Sequence, residues 1–410
     1  MEGDASSDHV LRPSAQQPGQ NPERDEARDS PAGPGAARTL ELRFTASGSE
    51  YFRIWIVNLL LIVVSLGLYL PFAKARRLRY FHANTLVDGQ PLAFHGEPWK
   101  MFRGFVVMIV LFGAYAAASY VSDWVALGAF VLLAVLWPAL WRSSLMFRLG
   151  NTSWRGLRMG FEGSLADAYR AMLPLFVPGF AVLALTAWFM TGVDPRDAQA
   201  VQRANEAAAP GVGMAMLLLS VLFPWAFWRI KHYQHGGYRI ASEAAVFSGR
   251  LRAFYGLGLK LGVMVVLLAV LMGVLAAVAM VMGKMGAGRW SLILPGAGLG
   301  MLGLATLSAC AGAWLQNLAW NHTSSAQLRF ASALGAGALT RLTFKNLLLV
   351  VLTLGLYRPF AVVHAMRLRL QAISVQAQGD IDGWVAAAPA AAGSGSGEMS
   401  GDFFGIDVGL

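Results

Sequence analysis

The chain has a single cysteine, Cys310, in 410 residues, and it lies within an apolar run. That excludes a disulfide framework and a thiolate metal cluster. Charge is scarce too: 14% of residues are charged, against about 25% in ordinary soluble domains. The long apolar runs hold no internal Asp or Glu, which weighs against a coupled transporter that keeps an ionisable group near the midplane. No nucleophile elbow, phosphate-binding loop or H-E-x-x-H occurs, so neither an enzyme nor a cofactor is expected. No aromatic-plus-basic nucleic-acid motif is present, and a nucleic-acid partner is not expected. The first residues lack the apolar stretch of a signal peptide; 1–39, rich in Pro, Gly, Ser, Asp and Arg, reads as a disordered tail.

What the chain has in quantity is apolar surface. Hydrophobic residues make up 56% of it, too many to hide from water, so the expected class is an all-α polytopic membrane protein. Eight runs reach the ~20 residues a bilayer core demands, at about 54–73, 104–121, 124–141, 171–192, 211–228, 258–283, 291–314 and 342–363. Over 51–379 there are 28 Lys/Arg against 9 Asp/Glu, concentrated in alternate connections such as Lys74 to Arg103 and Arg229 to Lys260. The positive-inside rule puts those connections in the cytoplasm, facing anionic lipid.

One phrase is written twice. Gly67-Leu68-Tyr69-Leu70-Pro71-Phe72-Ala73 returns as Gly355-Leu356-Tyr357-Arg358-Pro359-Phe360-Ala361, with Asn58 and Asn346 nine residues ahead. Connections repeat as well. Asn84-Thr85, Gly89 and Phe94-His95-Gly96 match Asn151-Thr152, Gly156 and Phe161-Glu162-Gly163, with weaker copies from Gly237 to Gly249 and from Asn321 to Phe330. Asp88-Gly89 between partly alternating runs signals a hairpin. Short cytoplasmic β-hairpins are therefore expected, joined edge to edge so that no strand is left open.

Repeat and charge rule collide at the ends. Eight crossings would set the first and last segments in opposite directions although they carry one phrase. Either 54–73 and 342–363 are re-entrant, leaving six full spans, or eight spans run with inverted ends. The phrase supplies candidate residues. Gly67, Tyr69, Pro71, Gly355, Tyr357 and Pro359 read as helix ends at the interface, or as an unwound segment lining a cavity. Asn58 and Asn346 suit interhelical hydrogen bonds. Arg76, Arg77 and Arg79, beside Tyr80 and Phe81, fit topology determinants or contacts to anionic headgroups. His232 and His235 make an H-x-x-H pair completed at most by Glu243, which favours interfacial histidines over a metal site.

The run Glu50 to Leu61, then Gly67-Leu68-Tyr69, then Ala73 to Phe81 resembles the YjgN-like family, a domain-of-unknown-function (DUF898-type) family of bacterial inner-membrane proteins. The resemblance extends over roughly Leu40 to Val375, and Asp402 to Leu410 is similar to a tail end common in that family. It implies an inner-membrane location and brings no activity, cofactor or catalytic residue. The expected organisation is a repeat-built membrane domain over 40–379, then a flexible linker with an acidic-apolar tip over 380–410. The expected function is transporter- or channel-like handling of a solute, lipid-like in one version. The alternative is a scaffold that organises protein partners or anionic lipid through basic hairpins. Expected partners are membrane lipids, with the tip docking on the chain itself or on another protein.

Overall fold

The computed structural model describes residues 38–284 and 290–387. Of the tail expected over 1–39 only Arg38 and Thr39, in the first strand, are among the described residues; of the linker and tip expected over 380–410, everything beyond 387 lies outside them. Strands β1 (Arg38–Leu40) and β2 (Leu42–Phe44) lead into helices α1 (Gly48–Val64) and α2 (Leu70–Ala83). A hairpin of β3 (Thr85–Val87) and β4 (Gln90–Phe94) precedes α3 (Pro98–Val121) and α4 (Asp123–Gly150). Next come β5 (Thr152–Trp154) and β6 (Leu157–Phe161), then α5 (Leu165–Met190) and α6 (Ala198–Gly236). Strands β7 (Tyr238–Ile240), β8 (Glu243–Ala244) and β9 (Val246–Phe247) feed α7 (Leu251–Lys284) and α8 (Trp290–Trp320). The last round is β10 (Thr323–Ser324), β11 (Leu328–Ser332), α9 (Ala336–Leu352), α10 (Arg358–Gln371), β12 (Ile373–Ala377) and the short α11 (Ile381–Ala387).

Six of these helices are long and apolar enough to cross a membrane: Pro98–Val121, Asp123–Gly150, Leu165–Met190, Ala198–Gly236, Leu251–Met282 and Pro295–Trp320. The other two apolar runs are not single helices. At 54–73 and 342–363 the helix stops at a turn and the chain comes back, so neither is one uninterrupted span. Strand pairing makes the return explicit. Phe44 on β2 opposes Thr85 on β3, and Ser332 on β11 opposes Ile373 on β12. Each short excursion therefore ends beside the strand it left.

The longer pairs obey the same rule. Around α3–α4, Phe94 opposes Thr152; around α5–α6, Phe161 opposes Tyr238; around α7–α8, Phe247 opposes Thr323. The described residues thus form five helical hairpins rooted in strands. The strands form two antiparallel sheets, ordered β1-β12-β11-β10-β9 and β2-β3-β4-β5-β6-β7-β8. Only Glu41 separates β1 from β2, and only Ala245 separates β8 from β9, so chain continuity joins the sheets at both ends into a closed ring. An all-α description therefore falls short. The hairpins read from the sequence are the sectors of one strand ring, and closure leaves no edge to aggregate.

An apolar core fills that ring. Leu40, Trp154, Leu157, Leu328, Val375 and Ala377, from five strands, pack together with Ile381 of α11, and Trp384 and Val385 lie against them. Asp382 ties α11 to the rim by a 2.7 Å pair with Arg155. On the other side, each helix from α1 to α10 packs on the next, and α10 closes back on α1. Among the described residues no other helix pair packs to a comparable extent.

The repeated connection motifs are structural devices. Asn84 and Asn151 end their helices, each donating Nδ2 to a carbonyl one turn back, Tyr80 O at 2.9 Å and Phe147 O at 2.7 Å. Thr85, Thr152 and Thr323 bond backward in the same way to Phe81, Arg148 and Ala319. Asn-Thr is thus a helix exit, which also accounts for the sequon-like Asn151-Thr152-Ser153. The Phe-x-Gly step has its own cause: the rings of Phe94, Phe161 and Phe247 lie over the α-carbons of Gly96, Gly163 and Gly249, where a β-carbon would collide.

Candidate functional site

The twice-written phrase builds two short hairpins that stand side by side. Phe52 of α1 meets Phe360 of α10 with ring centroids 5.8 Å apart. In each, two successive residues take left-handed backbone at the turn: Leu66 and Gly67 at φ 51° and 91°, Leu354 and Gly355 at φ 49° and 94°. The amides of Gly67 and Gly355 bond back to Ile62 O at 2.8 Å and Val350 O at 2.7 Å, a Schellman-type closure. Pro71 and Pro359 sit in the first turn of the returning helix, where a missing N–H costs nothing. Tyr69 and Tyr357 directly precede those helices and stack on Phe72 and Phe360 at 5.5 and 5.4 Å.

Two residues that the sequence reading did not single out complete the device. The Tyr69 amide donates to Ser65 Oγ, and the Tyr357 amide to Thr353 Oγ1, both at 2.9 Å. The signal was available, since 65 and 353 both stand two residues before the shared glycine and both carry a hydroxyl. The tips are bare and apolar. Leu66 is 94% exposed and Leu354 95%.

Asn58 and Asn346 are buried midway along the outgoing helices. Asn58 Oδ1 accepts a long bond, 3.4 Å, from Arg76 on the returning helix. Nine residues before the glycine thus meets nine after it, as a hairpin folded at Gly67 requires. Asn346 Nδ2 donates to Ala361 O at 3.3 Å, while its Oδ1 is buried with no hydrogen-bond donor. Of the candidate headgroup residues, Arg79 donates to Gly96 O at 2.9 Å. Arg77 acts on the Tyr51 phenol, partly offsetting the rise that burial imposes on its pKa. The three arginines therefore do not present one common face.

A second polar assembly lies where hairpins meet the strand ring. Arg148 on α4 and Arg369 on α10 both act electrostatically on buried Lys231 of α6, so cations from three hairpins converge. Lys231 Nζ donates to Gln234 Oε1 at 3.1 Å, and Arg369 Nε to Gln316 Oε1 at 2.9 Å. Burial pushes the Tyr238 phenol, beside Gln234 and Arg148, up to about 12. His235 is 1% exposed and shares a 3.0 Å bond with Thr323 Oγ1, so its ring is enclosed by protein. His232 packs against Trp228 instead. Among the described residues no group of three His, Cys, Asp or Glu is placed to hold a metal ion.

Curated relatives align with part of the chain. Inner membrane protein YjgN of Salmonella typhimurium (strain LT2) is 29% identical over 135 residues, covering 33% of this chain and 34% of that protein. Inner membrane protein YjgN of Escherichia coli (strain K12) is 31% identical over 125 residues, 30% and 31% of the two chains. The aligned part of this chain thus spans about a third of the length of these relatives. No solved structure matches. Together with the six candidate spans, these likenesses identify a multipass protein of the bacterial inner membrane. Residues 39–403 match the family described as bacterial protein of unknown function (DUF898), and the chain belongs to that family.

Proposed function

We propose that the protein handles a lipid-like solute within the bilayer, transporter- or channel-like in class, inside a wall of helical hairpins. The observation that carries this reading is the uneven height of that wall. At 1.5 Å per residue, α6 is about 58 Å long and α3 about 36 Å, whereas α1 and α9 are about 25 Å and α2 and α10 about 21 Å. The four short helices are consecutive around the ring, with α10 against α1. A bilayer core is about 30 Å thick, so two adjacent hairpins dip into it and return while three cross. Their bare tips, Leu66 and Leu354, suit hydrocarbon. The low sector is a lateral opening, and what enters sideways from a bilayer is apolar. The spans' lack of internal carboxylates agrees with such a solute.

The strand ring belongs on the cytoplasmic side in this reading, because the hairpin bases carry the excess of Lys and Arg. Alkaline phosphatase fused after residue 120 is expected to be active, and after 45 or 375 inactive; the reverse pattern overturns the orientation. The function itself is tested with full-length protein in vesicles carrying fluorescent phospholipid. Transbilayer exchange at least tenfold faster than in protein-free vesicles is expected. Equal rates for phospholipids and for neutral and anionic small solutes would sink the proposal.

A scaffold that gathers partners through its basic side is the second reading, favoured by the 28 to 9 excess of basic residues over 51–379. A closed strand ring offers no edge for a partner strand, so such partners would bind through side chains. Recovery of no stoichiometric partner after crosslinking counts against it.

A further inference from the structure

The second copy of the phrase holds something the first does not. Between α9 and α10 lies an open cavity of about 310 Å³, at the small end of the roughly 300–1,000 Å³ of ligand pockets. Lys345 comes from α9, His364 and Arg367 from α10; Ala338, Leu342 and Leu368 give apolar wall, and no carboxylate lines it. The Arg367 Nη2 donates to Ala46 O at 2.8 Å, which fixes the plane of the guanidinium in the cavity wall. His364 Nδ1 is 3.4 Å from Tyr357 Oη, a long contact that holds the ring only loosely.

Counting from the shared glycine shows what has changed. Position +9 is Arg76 in the first hairpin and His364 in the fifth; position +12 is Arg79 and Arg367; position −10 is Val57 and Lys345. In the first hairpin Arg76 reaches across to Asn58 and Arg79 to Gly96 O, and the position that holds Lys345 in the fifth is the apolar Val57. In the fifth, the same register gains a lysine and the three side chains line one cavity.

We propose that this cavity binds a phosphate-bearing anion, with the phosphodiester of an anionic phospholipid on Lys345, His364 and Arg367 and its chains along Leu342 and Leu368. A guanidinium and an ammonium together suit a phosphate: the first offers two parallel donors, the second a compact charge. Lys345 precedes the hairpin tip by ten residues, about 15 Å of helix, which places the cations on the strand-ring side of the turn, where an inner-leaflet headgroup lies. The site belongs to one hairpin and does not depend on the lipid-handling reading, so binding without transport leaves it standing.

The test is titration of the full-length protein in neutral detergent with short-chain phosphatidylglycerol, short-chain phosphatidylcholine and inorganic phosphate, read by native mass spectrometry. Saturable phosphatidylglycerol binding is expected, at least tenfold tighter than phosphatidylcholine. Lys345→Ala and Arg367→Ala are each expected to weaken it at least tenfold, and Lys345→Arg by less than threefold. Thermal midpoints within a few degrees of wild type establish that the variants are folded; should Arg367→Ala fail, the solvent-facing Lys345→Ala and Lys345→Glu carry the test. Inorganic phosphate binding as tightly as phosphatidylglycerol, and lost in the same variants, keeps the anion site and assigns it to free phosphate. Equal binding of the two lipids, or binding unmoved by Lys345→Ala and Lys345→Glu in folded protein, overturns the proposal.

Discussion

The first and fifth hairpins are the same backbone solved twice with different side chains. Both turn through two left-handed residues, both lend a hydroxyl to a tyrosine amide, and both restart the helix on proline. Beyond the turn they part. Asn58 receives Arg76, whereas in the fifth hairpin the register of Arg76 is held by His364 and the Asn346 Oδ1 finds no hydrogen-bond donor. The difference teaches that repetition here preserves a bend, not a site. The helix faces between bend and strand ring are where the copies diverge, and the cavity of the fifth hairpin lies on such a face.

If the bend is the common element, breaking it must hurt both copies alike. Gly67→Val and Gly355→Val each force a β-branched residue into a left-handed conformation, a cost of about 1–3 kcal/mol. The expected result is a similar drop in the thermal midpoint of purified protein for both variants. A loss confined to one would mean that only one copy depends on its turn.

The next test separates them. Asn58→Leu removes the acceptor of a guanidinium and is expected to cost about 1–2 kcal/mol. Asn346→Leu also removes a buried oxygen that lacks a donor, so it is expected to be close to neutral or stabilising. Denaturation of the two variants side by side reads the gap; equal losses would erase the asymmetry claimed for the hairpins. The smallest of the expected losses belongs to the caps. Ser65→Ala and Thr353→Ala each delete a 2.9 Å bond to an amide, worth about 1 kcal/mol. Hydrogen exchange at the Tyr69 and Tyr357 amides should quicken in the respective variant and nowhere else in the other hairpin.

The spans were legible because length and apolarity suffice to find them, and Asp88-Gly89 marked its turn through backbone chemistry, with both residues at positive φ. The doubling back of 54–73 was legible only as a contradiction between phrase and charge. Edge-to-edge joining of the hairpins was legible from their repetition, but the pairing that closes the ring was not. Strand β1 pairs with β12 through Arg38 and Ala377, and nothing local in either strand announces so distant a partner. The same holds for Arg148, Lys231 and Arg369, which lie far apart in sequence and which the fold brings within electrostatic reach of one another. The spacing of Phe94 and Gly96 was visible without its cause, since a ring lying over an α-carbon exists only in three dimensions.

Pairing of the strands at the foot of every hairpin has a consequence for parity. A hairpin contributes two passes if it crosses and none if it only dips, so the count of passes stays even whatever its depth. Both ends of the described chain, Arg38 and Ala387, therefore keep the same side whether a hairpin is long like α5–α6 or short like α1–α2. A hairpin can lengthen, shrink or be duplicated over evolutionary time without inverting anything downstream. For an architecture assembled from repeats, that makes hairpin length a free variable, and two neighbouring short hairpins among three long ones are an allowed outcome of varying it.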